Sequence, residues 1–567
     1  MFASRFCRYS VGMISTVFLQ RSKKKLTLTQ IEDILYCQSI NFYYTNIQSF
    51  FTVFLLMQVS VAKNTATNYL VMLIRFFQGL LVTRWLIGSL GDSGYGLWSL
   101  LWTFFGYAIL MDFGAGIAGQ KFTSHELFKR DIRHYNAIVS MIFTFHALMA
   151  FVIVIGVFIA SFFLEKLFNV HDPVQLAYCR KCFFVFSLGA AAIFPFSVLS
   201  EILVGLHKIY INNYIAALGR IFELFGFLII LKLKGGLFGI VCYEVGILCV
   251  ERLVAWFFVS RLIPGFRMRL HLFDRNVFWE VFGFSSGTYF LSMAKLLRVQ
   301  TRNPIISKYC GLGAVGVFNL SDRLSSLCNQ AIAQYNNNVR PVTAQLFHRG
   351  RFRMLRAFIV KSMQWNMFMC CLIVIPAIFL RDEAIVAMFK KEVTPLIHTL
   401  SLLSLLGTFT WLAITQIPSS VLLMCEKHHL HAWTSMAEAL VVIILNILFL
   451  RSGYSIVCIE VITIIMSIVL FSAVRFPVML KLIRGNTLRD LWSIYVPSLL
   501  VSLPAVAVLL LCKKLLLGHV HNFLLCAVCG TAYAVVYVAL AWQFLIGRTK
   551  KELWKRRVMI RVRKYLK

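Results

Sequence analysis

Apolar runs of about 20 residues, broken by short polar stretches, recur along the whole chain and leave few ways for it to fold. A spanning helix needs about that length because the bilayer hydrocarbon is roughly 30 Å thick, and runs of this kind fall at roughly 68–88, 95–117, 137–164, 182–205, 211–231, 236–258, 278–298, 312–335, 357–380, 397–424, 431–450, 454–474, 492–512 and 520–546. With 59% of 567 residues hydrophobic and 14% charged, the chain has more apolar surface than a soluble core of its size can bury. Polar backbone in hydrocarbon must be paired within the protein, and the alternating segments of a membrane barrel are absent. The expectation is an all-α polytopic membrane protein with about fourteen spans.

Charge sets the orientation. If residue 68 begins on the cytoplasmic side, the inside loops hold about 29 Lys and Arg and the outside loops about 14, as the positive-inside rule requires. Ser260–Asn276, the five arginines Arg340, Arg349, Arg351, Arg353 and Arg356, and the tail RTKKELWKRRVMIRVRKYLK mark the cytoplasmic face. The division expected is an N-terminal extension (1–63), an N-lobe (64–259), a cytoplasmic linker (260–277), a C-lobe (278–475), two further spans (476–546) and a basic tail (547–567). The extension lacks a small-x-small cleavage site, and counting FYYTNIQSFFTVFLLMQVSV as a span would place the Arg-rich loops outside. Met57 is therefore a candidate start.

The net charge of +34 is read as topology and contact with anionic lipid headgroups rather than nucleic-acid binding. The fifteen cysteines are scattered, most of them inside apolar runs; two pairs have CxxC spacing, Cys179/Cys182 and Cys526/Cys529, and all are read as small apolar core residues. His428, His429 and His431 are expected in a solvated loop, without partners at metal-ligand spacing apart from Glu426. No Walker loop occurs, and the one GxSxG match, GFSSG at 283–287, lies within an apolar span rather than at a strand-to-helix turn, so the reading is a non-enzyme without a cofactor.

A repeat gives the organisation. LGDSGYGLW begins at Leu90 and LGAVGVFNL at Leu312, both of the form LGxxG; Arg75 lies 16 residues before Gly91 and Arg298 lies 15 before Gly313. Six spans separate the two copies, so both halves share one orientation, as in transporters whose lobes are related by an axis along the membrane normal.

The stretch RWLIGSLGDSGYGLWSLLWTFFGYAILMDFGAGIAGQKFT resembles the first two helices of bacterial polysaccharide and O-antigen flippases in the multidrug/oligosaccharidyl-lipid/polysaccharide (MOP) exporter superfamily. There an LGxxxYG loop leads into a helix ending in a D-F-G turn followed by small residues; here these are Leu90, Gly91, Tyr95, Gly96, Asp112, Phe113, Gly114 and Gly116. The resemblance implies two six-helix lobes around a central cavity plus two C-terminal helices. It also implies, in a bacterial inner membrane, transfer of a polyprenyl-diphosphate-linked saccharide to the periplasmic leaflet during lipopolysaccharide or other polysaccharide synthesis. Polysaccharide assembly proteins would be its partners.

Asp112, near a helix end among small residues, reads as a packing and hinge device, able to bond a neighbour's backbone, an arginine or Lys121. Charges deeper in the spans are the transport candidates. A diphosphate needs a cationic path, and arginine's planar fork suits phosphate oxygens. Arg75 and the one-face series Lys295, Arg298 and Arg302 supply it, although Arg84, Arg298 and Arg302 are near enough to helix ends to snorkel, and Pro304 should break the helix after Arg302. Glu244, Glu251 and Asp322 are candidates to carry a coupling cation, with Glu223 and Glu280 beside them. Arg220, Arg252 and Arg323 offer sequence-adjacent partners to Glu223, Glu251 and Asp322, and Glu244 has none.

The mechanism expected is alternating access, the lobes rocking about the Asp112 and LGxxG hinges, driven by a Na⁺ or H⁺ gradient or by membrane potential. A multidrug antiporter of the same superfamily and a membrane-embedded glycan polymerase or glycosyltransferase are the competing readings. The in-span arginines disfavour the first; the short loops and missing DxD motif disfavour the second.

Overall fold

The computed structural model describes residues 28–116, 118–120, 122–123, 131–269, 278–279, 289, 293–294, 296–425, 427–483 and 487–544. The chain divides into two compact units, residues 1–67 and 68–567. In the first, the backbone is helical over residues 28–67.

Among the described residues, the second unit holds fourteen long helices. In chain order they are α1 (residues 68–90), α2 (92–112), α3 (Ile132–Ser161), α4 (Pro173–Gly205), α5 (Ile209–Lys232), α6 (Gly236–Leu262), α7 (ending at residue 310), α8 (312–348), α9 (Phe352–Phe379), α10 (Pro395–Met424), α11 (His428–Arg451), α12 (Val457–Ile483), α13 (Thr487–Leu516) and α14 (Asn522–Phe544). Ten stretches of the described residues are long and apolar enough to cross a membrane, α1 and α2 counting as one. The chain is a multi-pass helical membrane protein. Helix starts follow capping chemistry: Asp131 caps α3, Asp172 with Pro173 opens α4, and Thr394 with Pro395 opens α10.

Two glycines define the join between helices in each half. Gly91 (φ 67°, ψ −175°) separates α1 from α2, and Gly311 (φ 82°, ψ 173°) separates α7 from α8, both in backbone conformations that a side chain would strain. The break in the second half falls two residues before Gly313, which lies within α8. The repeat is therefore GDSGYG against GLGAVG, Gly91 to Gly96 and Gly311 to Gly316, in a register two residues away from the LGxxG match. Contacts follow the same register. A Cβ at Gly96 would land on the Leu312 carbonyl oxygen, and one at Gly316 on that of Asp92, so α2 and α8 cross with their backbones touching. Gly313 faces only the Ser93 hydroxyl at 3.6 Å.

The structure corrects two other expectations. Helix α7 does not end near residue 298. It passes through a turn at Thr301, whose N–H donates to Leu297 O (3.2 Å), and continues to residue 310; Pro304, in the first turn of the resumed helix, needs no partner that the turn has not already given up. Arg302 thus lies inside the bundle. Helix α11 begins at His428, and His431 is only 7% exposed, packed inward rather than solvated.

The core is distributed unevenly between the two ends of the bundle. At the Gly91/Gly311 end, one apolar cluster joins Leu97, Trp98 and Phe186 of the first six helices to Ile306, Phe318 and Ile459 of the next six. At the other end, each half has its own: Ala115, Ile142, Leu199 and Val259 in one, Val339, Ile359, Val421 and Met479 in the other. Helices α13 and α14 join the second half through α9, where Tyr533 donates to Cys371 O (2.8 Å).

Because a β-carbon at Gly96 meets backbone and one at Gly313 does not, Gly96→Ala should destabilise the protein by roughly 1–3 kcal/mol. Gly313→Ala should leave the Tm in detergent unchanged. Equal melting of the two variants would contradict the crossing described here.

Candidate functional site

Charged side chains inside the bundle gather in two places, one in each half. In the first, Gln78 of α1 donates to Glu223 of α5 (2.7 Å), and Arg220, one turn earlier on α5, donates to the other carboxylate oxygen (2.5 Å). Arg220 also lies 3.6 Å from Glu244 of α6, whose two oxygens are fully buried and accept no hydrogen bond among the described residues. Glu251, one further heptad along α6, packs its carboxylate onto Gly219 and is within electrostatic reach of Arg220, Arg252 and Arg75. Glu223 and Glu244 are both buried, and Arg75 is exposed. Three carboxylates thus lie within reach of Arg220.

The second cluster occupies equivalent helices. Arg298 of α7 stands at the repeat position of Gln78, and donates to Glu438 of α11 (3.0 Å). The other oxygen of Glu438 accepts from Arg475 of α12. The Arg298 guanidinium lies 4.2 Å above the Trp411 ring and that of Arg475 6.0 Å from it. Trp411 and Arg475 each belong to a π-helical turn, Trp411–Thr415 and Phe471–Arg475, where a widened helix re-aims side chains. Arg302 donates to Glu460 (3.2 Å) and to the Thr463 hydroxyl (3.2 Å), and Asp322 of α8 accepts from Ser404 rather than pairing with its sequence neighbour Arg323. Arg323 instead reaches across to Gly79 of α1. Lys295 and Glu280 lie outside the described residues.

Between the halves the polar contacts are few. Asn303 donates to Thr103 (2.8 Å) and Lys391 pairs with Asp92 (3.0 Å), both toward the Gly91/Gly311 end. At the opposite end Phe113 stacks on Tyr289 of α7, ring centroids 4.7 Å apart, and Tyr289 donates to Leu110 O (3.0 Å). Phe113 has φ 50°, a strained value for a residue with a side chain. Asp112 holds that turn in place: it accepts from the Gly116 N–H (3.1 Å) and bonds His146 (2.9 Å), which is fully buried and lies 3.4 Å from Ser197. Gly114 (φ 80°) completes the turn, and Gly116 lies against Glu201 and Asp112.

Sequence reasoning singled out Arg298, Arg302, Glu244, Glu251 and Asp322 but missed Glu438, Glu460 and Arg475. Glu438 and Glu460 interrupt apolar runs just as Glu223 and Glu244 do, so the signal was present. Arg475 fell one residue beyond the expected end of its span.

No family model and no curated protein sequence matches the chain. Solved structures do. "Lipid II flippase MurJ, inward closed conformation" is similar over 85% of this chain and 99% of its own (TM-score 0.64, 14% identity). An inward-facing multidrug resistance MATE family transporter of the MOP superfamily is similar over 73% of this chain and 96% of its own (0.62, 14%). The chain shares the fold of these structures. A MOP superfamily transporter from Pyrococcus furiosus, described as having a binding pocket of reverse polarity, is similar over 76% of this chain and 96% of its own (0.55, 15%).

Removing one partner of a buried ion pair costs about 3–5 kcal/mol because the other charge is stranded. Arg220→Met should lower the Tm of the purified protein accordingly, and Arg220→Met/Glu223→Gln should recover part of the loss. A single variant as stable as wild type would mean that the N-lobe carboxylates are not held by Arg220.

Proposed function

We propose that this protein is a transporter that moves a polyprenyl-diphosphate-linked saccharide from the cytoplasmic to the periplasmic leaflet of a bacterial inner membrane by alternating access. The observation that carries the reading is the fourteen-helix layout. Similarity to the lipid II flippase covers 85% of this chain, against 73–75% for the MATE structures. The difference, about a tenth of the chain, is the size of α13 (30 residues) and α14 (23 residues) together.

The electrostatics support the same reading. Arg298, Arg302 and Arg475 place planar cations on the C-lobe helices, the residue type best matched to phosphate oxygens. Arg75 and Lys295 complete the proposed headgroup path. The end at which each lobe has a separate core also carries Arg261, Arg267, Arg269, Arg349, Arg351 and Arg353, so we assign it to the cytoplasm by the positive-inside rule. In that orientation the shared core lies at the periplasmic end, and Phe113 stacks on Tyr289 between the lobes at the cytoplasmic end. The lobes would rock about the glycine breaks and the Asp112 turn, while the prenyl chain stays in lipid. Glu244, with Glu251 and Asp322 as further candidates, would take up the coupling Na⁺ or H⁺, and membrane potential would contribute about 2.3 kcal/mol per charge per 100 mV. Anionic lipids and polysaccharide assembly proteins are the partners expected at the cytoplasmic face.

One observation favours a multidrug cation antiporter instead: the gathering of three carboxylates around Arg220. Reconstitution separates the two. Liposomes containing wild type should transfer a fluorescent polyprenyl-diphosphate oligosaccharide between leaflets, and folded Arg75→Ala and Arg298→Ala variants should lose at least tenfold of that rate. Proton-coupled efflux of organic cations without lipid transfer would decide for the antiporter.

A further inference from the structure

Glu438 is bound by two guanidiniums that differ in one respect: Arg298 is 15% exposed and Arg475 is 1% exposed. Each uses a different carboxylate oxygen, Arg298 on Oε1 and Arg475 on Oε2, and Ser467 reaches Oε1 as well (3.5 Å). The second ion pair of the lobe has no such redundancy. Glu460 is buried and held by Arg302 alone among the described residues, so Arg302 cannot leave without stranding a carboxylate in the bundle. Arg298 can leave. Its departure breaks one bond to Glu438, while Arg475 keeps the carboxylate compensated from the sealed side.

Resting on the flippase reading above, we propose that Arg475 is a positioning residue that frees Arg298 to transfer from Glu438 to a substrate phosphate. Arg302 stays fixed on Glu460. Trp411 provides the surface along which the exchange occurs, since both guanidiniums already lie against the same indole, and sliding over an aromatic face retains the cation–π attraction while hydrogen-bond partners change. The two π-helical turns serve this arrangement by turning Trp411 and Arg475 toward α7. The N-lobe counterpart lacks the device: Gln78 occupies the Arg298 position and carries no charge to hand over.

The full chain in nanodiscs, titrated with a fluorescent polyprenyl diphosphate, tests the exchange. Arg475→Met should leave Glu438 clinging to Arg298 and weaken binding of the probe at least tenfold, whereas Arg475→Lys, which keeps the charge, should stay within threefold of wild type. Arg475→Met/Glu438→Gln should restore binding, because Arg298 is then released; a residue that merely supports packing would give no such rescue. Should Arg475→Met fail to fold, the double variant and the lysine variant still decide. Wild-type binding by folded Arg475→Met, or absence of rescue in a folded double variant, would overturn the proposal while leaving the flippase reading intact. Failure of the wild type itself to bind the probe would overturn both.

Discussion

Everything else in the bundle depends on the point where α2 and α8 cross with no side chains between them. Gly96 and Gly316 bring backbone against backbone, and the preceding breaks at Gly91 and Gly311 let each helix arrive there from a neighbour of the same half. A contact of this kind gains through packing alone, which is the main source of helix association in lipid. Because the same contact is made twice, in one register, it defines the near-twofold relation of the lobes. It also fixes the end at which they are joined, since the shared apolar core grows outward from these two helices.

The symmetry of the scaffold makes the asymmetry of its charges meaningful. Both lobes place a buried glutamate on the first helix of their last pair, Glu223 and Glu438, and a second on the next helix, Glu244 and Glu460. Both reach the first glutamate from the equivalent position of their opening helix, Gln78 or Arg298. In the C-lobe Glu438 and Glu460 each accept from a guanidinium, whereas in the N-lobe Glu223 accepts from Arg220 and Glu244 accepts no hydrogen bond among the described residues. A low-dielectric interior does not tolerate uncompensated charge cheaply, so the two lobes hold their acids differently.

The spans were legible because hydropathy is a property of each residue and needs no partner. All fourteen long helices correspond to runs visible in the sequence, and the small differences fall at their ends, where α7 continues past a proline and α12 past a charge. The glycine repeat was visible but in the wrong register. LGxxG matches by letter, whereas the folded chain selects glycines by backbone dihedral and by what a β-carbon would strike. The ion pairs were the least legible part: Arg298 and Glu438 are 140 residues apart, Arg302 and Glu460 158. Adjacent charges such as Asp322 and Arg323 suggested a pairing that helix geometry does not make, because neighbouring residues on a helix point about 100° apart.

Helices α13 and α14 pack on each other, on α9 and on the short helix Arg381–Phe389. Lys513 ties the outer end of α13 to Glu383 (2.8 Å) and to Phe379 O (2.8 Å). The C-lobe therefore presents eight helices to the surrounding lipid and the N-lobe six. Two bodies of unequal size that swing about a common contact do not share the displacement equally in a viscous sheet. In the proposed rocking the smaller one would travel further, and the lipids beside α1 to α6 would be the ones disturbed.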